Sequence, residues 1–394
     1  MAYIRSFSVS GLAGRKKTIR RTLQRDTNIF WGFNGSGKTS LLKILHSALS
    51  NDASTLLRVP FTSATVTFYS TNHDCMFTRK ISKEALTDAF SEALSEAEEF
   101  RVRRRLVDSV NLHWETTIKG KQEVSERVQR NKFRHTYLPI SRVNEPSKQT
   151  RSVVRTEMGS GPLDEEMLDR LFAQQIKGIW QNYNTNSLMT IRDVQEKGLA
   201  LILSSVLGSK KRTEEAAGTG HTDGEQAYGM VRNFFANQRL RRHLNIGTYS
   251  SFAKNYANDP LLRTVVAEIS EVQKEIELAL EPQIRIQQLI NDMYGGDKKL
   301  TFRHGELEIT SAGERVPIES LSGGEKQLLR LLLECLATEE APILVDEPEL
   351  SMHVDWQHRL IESMRIVNPN TQILMATHSP EIMANIPDDR IFPL

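Results

Sequence analysis

The chain is poor in several things, and each shortage closes a class of explanation. It has two cysteines in 394 residues, Cys75 and Cys335, too few for a disulfide framework or a cysteine-built zinc site. They are expected as core thiols of a protein kept in a reducing compartment. Long apolar runs are missing too. The longest, residues 199–207, contains two serines and falls far short of the roughly 20 residues a membrane helix needs. No signal-peptide pattern opens the chain, because Arg5 interrupts the start and no apolar stretch follows. A soluble, cytoplasmic protein with no membrane partner is predicted. Charge of one sign is also scarce: 51 lysines and arginines face 49 acids, for a net +2. Any nucleic-acid footprint must therefore be local. What is present is ordinary for a globular protein. Hydrophobic residues make up 39% and charged residues 25%, which excludes wholesale disorder. The length suits two or three domains.

Hydrophobic periodicity divides the chain into three stretches. Residues 3–9, 18–23 and 28–31 read as strands, residues 40–49 as a helix, and residues 64–69 and 76–81 as strands. An acidic helical stretch at 82–100 precedes strand candidates at 110–118 and 135–140. From about residue 160 to 295 the pattern is mainly helical. There Leu262, Val265, Ile269, Val272, Ile276 and Ala279 form a short heptad seam. Residues 208–226 read as a flexible loop. Strand signals resume with a hairpin at 300–303 and 306–310. A helix at 324–338, a strand at 343–345, a helix at 354–367 and a strand at 372–376 follow. Strands alternating with helices predict a parallel sheet covered on both faces.

Four motifs fall at the ends of these elements. Gly32-Phe33-Asn34-Gly35-Ser36-Gly37-Lys38-Thr39, followed by Ser40, fits the phosphate-loop pattern without a mismatch, after an apolar strand and before a helix. Glycines there let backbone N–H groups wrap phosphates, and the helix N-terminus adds partial positive charge. Lys38 is expected to reach the β- and γ-phosphates of ATP, and the Thr39 hydroxyl to bind Mg²⁺. The apolar strand at 343–345 delivers Asp346 and Glu347 at its C-terminal end. Asp346 is placed to hold Mg²⁺ through water, Glu347 to polarise an attacking water. Leu321-Ser322-Gly323-Gly324-Glu325-Lys326-Gln327 opens a helix that Ser322 can cap, its glycines leaving amides free to approach an anion. Such a nest makes sense if it closes over a γ-phosphate held by a second molecule. Thr377-His378-Ser379-Pro380 follows the last buried strand. A lone histidine there is usually structural, but in this order of motifs His378 is expected to contact the γ-phosphate or the attacking water.

In this order the motifs resemble those of ABC-type ATPase heads: Walker A, LSGGxxQ signature, Walker B with its catalytic glutamate, and H-loop. The run Asp346-Glu347-Pro348-Glu349-Leu350-Ser351-Met352-His353 resembles the RecF/SMC/OLD-like branch, with 350–353 as its D-loop. So do Tyr137-Leu138-Pro139 with Arg142, and Lys298-Lys299-Leu300. The resemblance implies an α/β fold, a P-loop ATPase head with a mixed N-terminal β lobe plus a parallel sheet flanked by helices. Residues 1–150 form the N-terminal lobe with Walker A. Residues 151–295 form a helical insertion, a short coiled coil or partner surface, and 296–394 the C-terminal lobe. It further implies catalytic Lys38, Glu347 and His378, and nucleotide contacts from Gly32, Asn34, Gly35, Ser36, Gly37, Lys38, Thr39 and Ser40. Ser322, Gly323, Gly324 and Glu325 of a second copy complete the site in a head-to-tail dimer. No glutamine can be assigned to a Q-loop.

Three roles are compatible with such a head. A transporter subunit is disfavoured because the signature lies about 280 residues after the phosphate loop, where transporter heads are compact. A DNA-repair or chromosome-organising head is supported by basic clusters: Arg101 with Arg103, Arg104 and Arg105; Arg127, Arg130, Lys132 and Arg134; Arg239, Arg241 and Arg242. Charge runs of this kind are more often solvated helix faces. The favoured reading is the small ATPase of bacterial anti-phage systems of the Septu, PARIS and retron-associated kinds. In it the ATPase acts as sensor and scaffold for a separate effector in trans. The insertion and its seam are then either a partner surface or a lid packed on its own head.

Overall fold

Residues 2–10 alternate between buried and open positions, and the phase changes once. Ala2 and Ile4 are buried, then Phe7 and Val9, because a register shift between Ile4 and Ser6 moves the pattern by one residue. The strand thereby keeps one apolar face on the core. The computed structural model describes residues 2–99, 112–119, 131–139, 164–207, 223–237, 247–303 and 305–394. The order is β1 (Ala2–Ser10), β2 (Ile19–Thr22), β3 (Thr27–Trp31), α1 (Lys38–Ser50), β4 (Ser63–Ser70), β5 (Cys75–Ser82) and α2 (Lys83–Glu99). It continues β6 (Glu115–Lys119), β7 (Thr136–Leu138), α3 (Glu165–Leu207), α4 (Gly224–Asn237), α5 (Tyr249–Asn258) and α6 (Pro260–Tyr294). The last part is β8 (Lys298–Arg303), β9 (Glu306–Ser311), β10 (Glu314–Val316), α7 (Gly323–Ala337), β11 (Ile343–Asp346), α8 (Val354–Val367), β12 (Ile373–Thr377), α9 (Pro380–Met383) and β13 (Ile391–Pro393). The chain divides into two units, Met1–Trp180 with Ile286–Leu394, and Gln181–Arg285.

The first unit is α/β and holds three sheets. One is antiparallel, in the order β2-β1-β4-β5-β6. One is wholly parallel, in the order β13-β3-β12-β11-β7. The third is the small antiparallel β10-β9-β8. Helix α1 lies between the two larger sheets. Its Leu41, Leu42, Ile44 and Leu45 share one buried cluster with Ile4, Val66 and Phe68 of the antiparallel sheet and Leu344 and Leu374 of the parallel one. Helix α7 is apolar nearly all round, from Leu328 to Leu336, and accordingly buried. Arg79 on β5, fully buried, caps the C-terminal end of α1. Its guanidinium donates to the carbonyls of Ala48 and Leu49 and, at 2.6 Å, to that of Asn131. Burial lowers its pKa to about 10. Both cysteines are buried free thiols.

In the second unit, Ile202, Ala227, Val231, Phe234, Phe252, Val266, Ile269 and Val272 form one apolar cluster. The heptad seam is thus absorbed at home: Ile269 and Val272 are buried, with Leu262, Val265 and Ile276 packed beside them. Gly198 of α3 permits close helix contact, since a Cβ there would sit 2.1 Å from Val272 Cγ2. Helix α4 begins at Gly224, so the expected loop is shorter at its C-terminal end, and residues 208–222 lie outside the described residues. The sequence reading also missed β10, α9 and β13, each only three or four residues long. Among the described residues no helix is long and apolar enough to cross a membrane.

Candidate functional site

Strand register assembles the site. Asp346 on β11 pairs with Ala376 on β12, and Ala376 pairs with Phe30 on β3, so these three neighbouring parallel strands end level. Adjacent strands are about 4.8 Å apart. The residues that follow them, Gly32, Glu347 and His378, therefore emerge side by side at the carboxyl end of the sheet, where open α/β sheets bind ligands.

Between β3 and α1 the chain turns through Gly35 and Gly37, at φ +82° and +99°, a region that favours glycine. Gly32 cannot carry a side chain, since a Cβ would lie 2.7 Å from Ser36 Oγ and 2.9 Å from the Leu394 carbonyl. Gly37 is the N-cap of α1 and supplies no side-chain cap, so the first-turn amides are open to an anion. Lys38 is 4% exposed; its ammonium donates to the carbonyls of Gly32 (2.7 Å) and Phe33 (3.3 Å). Ser36 Oγ is buried with no hydrogen-bond partner among the described residues. Asn34 is exposed, and Thr39 and Ser40 are half-buried.

Asp346 is buried, and neither of its carboxylate oxygens has a hydrogen-bond partner among the described residues, although the Thr39 hydroxyl lies near enough to favour its charged form. Burial, reinforced by the neighbouring Glu347, pushes its pKa up to about 6 against the opposing pull of Thr39, Lys43 and Lys38. A buried carboxylate with one hydroxyl beside it and no paired cation is a donor set suited to a hard, oxygen-seeking metal ion such as Mg²⁺. Glu347 sits at φ +48°, a strained setting for a residue with a side chain, fixed in part by its amide on Ala376 O at 2.8 Å. Its Oε1 lies 3.6 Å from Lys38 Nζ and 3.7 Å from His378 Nδ1.

Two residues given no role on the sequence complete this end of the sheet. The Glu349 carboxylate, buried, accepts from Thr377 Oγ1 (2.7 Å) and from the His378 amide (2.9 Å). Gln357 donates to Met352 O at 2.9 Å and accepts from Ser379 Oγ at 2.8 Å, tying residues 350–353 to the loop after β12. The second acid of Asp-Glu-Pro-Glu was the visible signal for Glu349; nothing in the sequence marks Gln357.

Ser322, Gly323, Gly324 and Glu325 form a separate group. Ser322 and Glu325 close a capping box at the start of α7. The Glu325 carboxylate also accepts two bonds from Lys298, at 2.7 and 2.9 Å. Burial opposes ionisation of Glu325, but Lys298 and Ser322 outweigh it and lower its pKa. Both the amide and the carboxylate of Glu325 are therefore engaged within its own chain. Lys326, buried, pairs with Asp169 at 2.6 Å. Gly324 allows the 350–353 segment close, since a Cβ would meet Ser351 O at 2.6 Å. Among the described residues no hydrogen bond or ion pair joins residues 322–325 to Lys38, Glu347 or His378. Of the basic clusters only Lys132 and Arg134 lie within the described residues, and Arg134 pairs with Glu339 at 2.6 Å. The Arg142 position lies outside them.

Residues 215–384 match the family described as AAA domain, putative AbiEii toxin, Type IV TA system. That span takes in α7, β11 and the His378 loop, while the phosphate loop lies before it. The Retron Vc95 probable ATPase of Vibrio cholerae serotype O1 biovar El Tor is 27% identical over 101 residues, covering 22% of this chain. The chain spans 20% of the length of that curated relative. Among solved structures, the Smc head domain with an extended coiled coil from Pyrococcus furiosus, bound to the C-terminal domain of ScpA, aligns at 13% identity and a TM-score of 0.44. The alignment covers 98% of this chain and 92% of that one. The Smc head with a coiled coil and joint from Pyrococcus yayanosii aligns at 12% identity and the same score, covering 100% and 95%. On its motif order, its strand-end site and the family match, the chain resembles ABC-type ATPase heads of the RecF/SMC/OLD-like branch and the small ATPases of bacterial defence systems.

Proposed function

We propose that the chain binds and hydrolyses ATP with Mg²⁺, closes as a head-to-tail homodimer around two nucleotides, and works as an ATP-gated scaffold controlling a separate effector protein in bacterial anti-phage defence. One observation carries the ATPase part: Lys38, Glu347 and His378 meet beside the Thr39–Asp346 pair at the ends of three adjacent parallel strands. Lys38 exchanges the Gly32 and Phe33 carbonyls for phosphate oxygens. Thr39 and Asp346 hold the metal, and Glu347 orients and polarises the attacking water. Mg²⁺ supplies charge neutralisation at the phosphates when bound. The amides around Gly323 and Gly324 of a second copy close the site, so hydrolysis waits on closure. The likeness to a retron ATPase supports the defence setting.

A second reading, DNA binding on the closed dimer, is favoured by one feature. Arg15, Lys16, Lys17 and Arg20 are exposed, with no ion-pair partner among the described residues. The test separates the two. Glu347→Gln, which keeps ATP uncleaved, is sedimented and used as bait in its native host with ATP and Mg²⁺, with Lys38→Ala as the open control. An ATP-dependent dimer retaining one defined protein in a single nucleotide state supports the scaffold. A Glu347→Gln protein that stays monomeric with ATP sinks the dimer, and nucleic acid as the sole retained partner moves the assignment to the second reading.

A further inference from the structure

Residues 349–353 make a tight turn after β11, and a side chain from α8 holds it in place. Ser351 sits at φ +64°, a setting unfavourable for a residue with a side chain and kept only where neighbouring bonds fix it. The Met352 amide donates to Glu349 O at 3.0 Å and closes the turn. Gln357, one turn into α8 and half-buried, donates through Nε2 to Met352 O at 2.9 Å and reaches Glu349 O at 3.5 Å. Carbonyls only accept, so Nε2 faces them and Oε1 faces Ser379. Ser379 Oγ, buried, donates to that Oε1 at 2.8 Å and accepts from the Ile382 amide at 3.3 Å as the cap of α9. Glu381 Oε2, at 3.1 Å, is the more distant acceptor for the same hydroxyl proton. Ser379 directly follows His378, whose own amide donates to Glu349 Oε1 at 2.9 Å. The turn also lies against Gly324, where a Cβ would meet Ser351 O at 2.6 Å.

We propose that Gln357 is a positioning residue for the nucleotide site: its amide joins the 349–353 turn to the loop that carries His378, so the two hold or move as one piece. A glutamine suits this joint because one planar amide supplies both a donor and an acceptor. Glu349 makes a second tie to the same loop, but to different residues. Its carboxylate takes Thr377 Oγ1 and the His378 amide, while Gln357 takes Ser379. His378 is thereby held on both sides along the chain. Its place follows that of the turn packed on Gly324. The inference rests on the ATPase reading for its purpose, but the joint exists without nucleotide.

The test is hydrogen–deuterium exchange of the full-length, nucleotide-free protein, read by mass spectrometry on peptides covering 349–353 and 377–382. Gln357→Met, close in length but without the amide, is expected to raise exchange in both peptides about fivefold, the factor set by one ordinary hydrogen bond, and to leave β4 unchanged. Ser379→Ala lies in one loop, yet exchange is expected to rise in the other, 349–353, as well. Combining the two substitutions should add nothing further there, because both break the same bond. In steady-state assays Gln357→Met lowers kcat about tenfold with KM for ATP within about twofold. Should Gln357→Met not fold, Ser379→Ala alone decides. A Ser379→Ala effect confined to 377–382, or unchanged exchange at 349–353 in a folded Gln357→Met protein, overturns the joint. Both loops loosened with kcat unchanged overturns the positioning role. No ATP hydrolysis by the wild type, with both loops loosened in the variants, sinks the ATPase reading alone.

Discussion

The two units of this chain place their buried groups by opposite rules. In Met1–Trp180 with Ile286–Leu394, charged side chains are buried: Lys38, Arg79, Asp346, Glu349 and Lys326. In Gln181–Arg285 the buried cluster is wholly apolar. The desolvation of an ionic group is expensive, so a unit that retains several of them is organised for something besides stability. Strain tells the same story. Glu347 and Ser351, both non-glycine residues at positive φ, follow β11 in the first unit. Among the described residues of the second unit no polar or charged side chain is buried, and exposed apolar residues such as Leu188 and Met189 lie on α3.

That contrast can be broken by substitutions whose effects should not cross over. The largest stability effect is expected in the helical unit. Ile269→Ala empties a fully buried position and should destabilise it by about 2–5 kcal/mol, read by urea unfolding. A loss below about 1 kcal/mol would mean the seam is not packed as described. The smaller effect has the opposite sign and lies in the first unit. The native pKa of Asp346 is raised to about 6, so ionising it costs native-state stability. The penalty is absent at pH values below the unfolded-state pKa, grows as pH rises toward 6, and is complete above it. Asp346→Asn should therefore stabilise the metal-free protein by up to about 3 kcal/mol at pH 8 and by little at pH 4. Thermal unfolding at both pH values checks this, and equal effects at the two would show that the carboxylate is not under strain from burial.

What was legible on the sequence follows the same division. Strand ends and helix starts around the phosphate loop, the Asp346-Glu347 pair and His378 could be located because each stands at fixed spacing from an apolar run. The seam of α6 was visible as periodicity, but periodicity does not say what covers it. The cover comes from Ile202, Val231 and Phe252, on three other helices. Arg79 was silent for a related reason. Its value lies in meeting the carbonyls of Ala48 and Leu49 across the fold, which no local pattern encodes. The close approach of Gly198 on α3 to Val272 on α6 is likewise a contact between helices that no local pattern names. Glu349 was seen as part of a family-like run, yet its work depends on register, which brings the ends of β11 and β12 level.

The most direct test of the account is phosphate release from ATP by the wild type, Lys38→Ala and Glu347→Gln, each shown to unfold at the same temperature. The account predicts Mg²⁺-dependent release by the wild type and a fall of about 10²–10⁴-fold in Glu347→Gln, with ATP still bound. In Lys38→Ala nucleotide binding is weakened as well. Wild-type rates retained in a folded Glu347→Gln protein would contradict it.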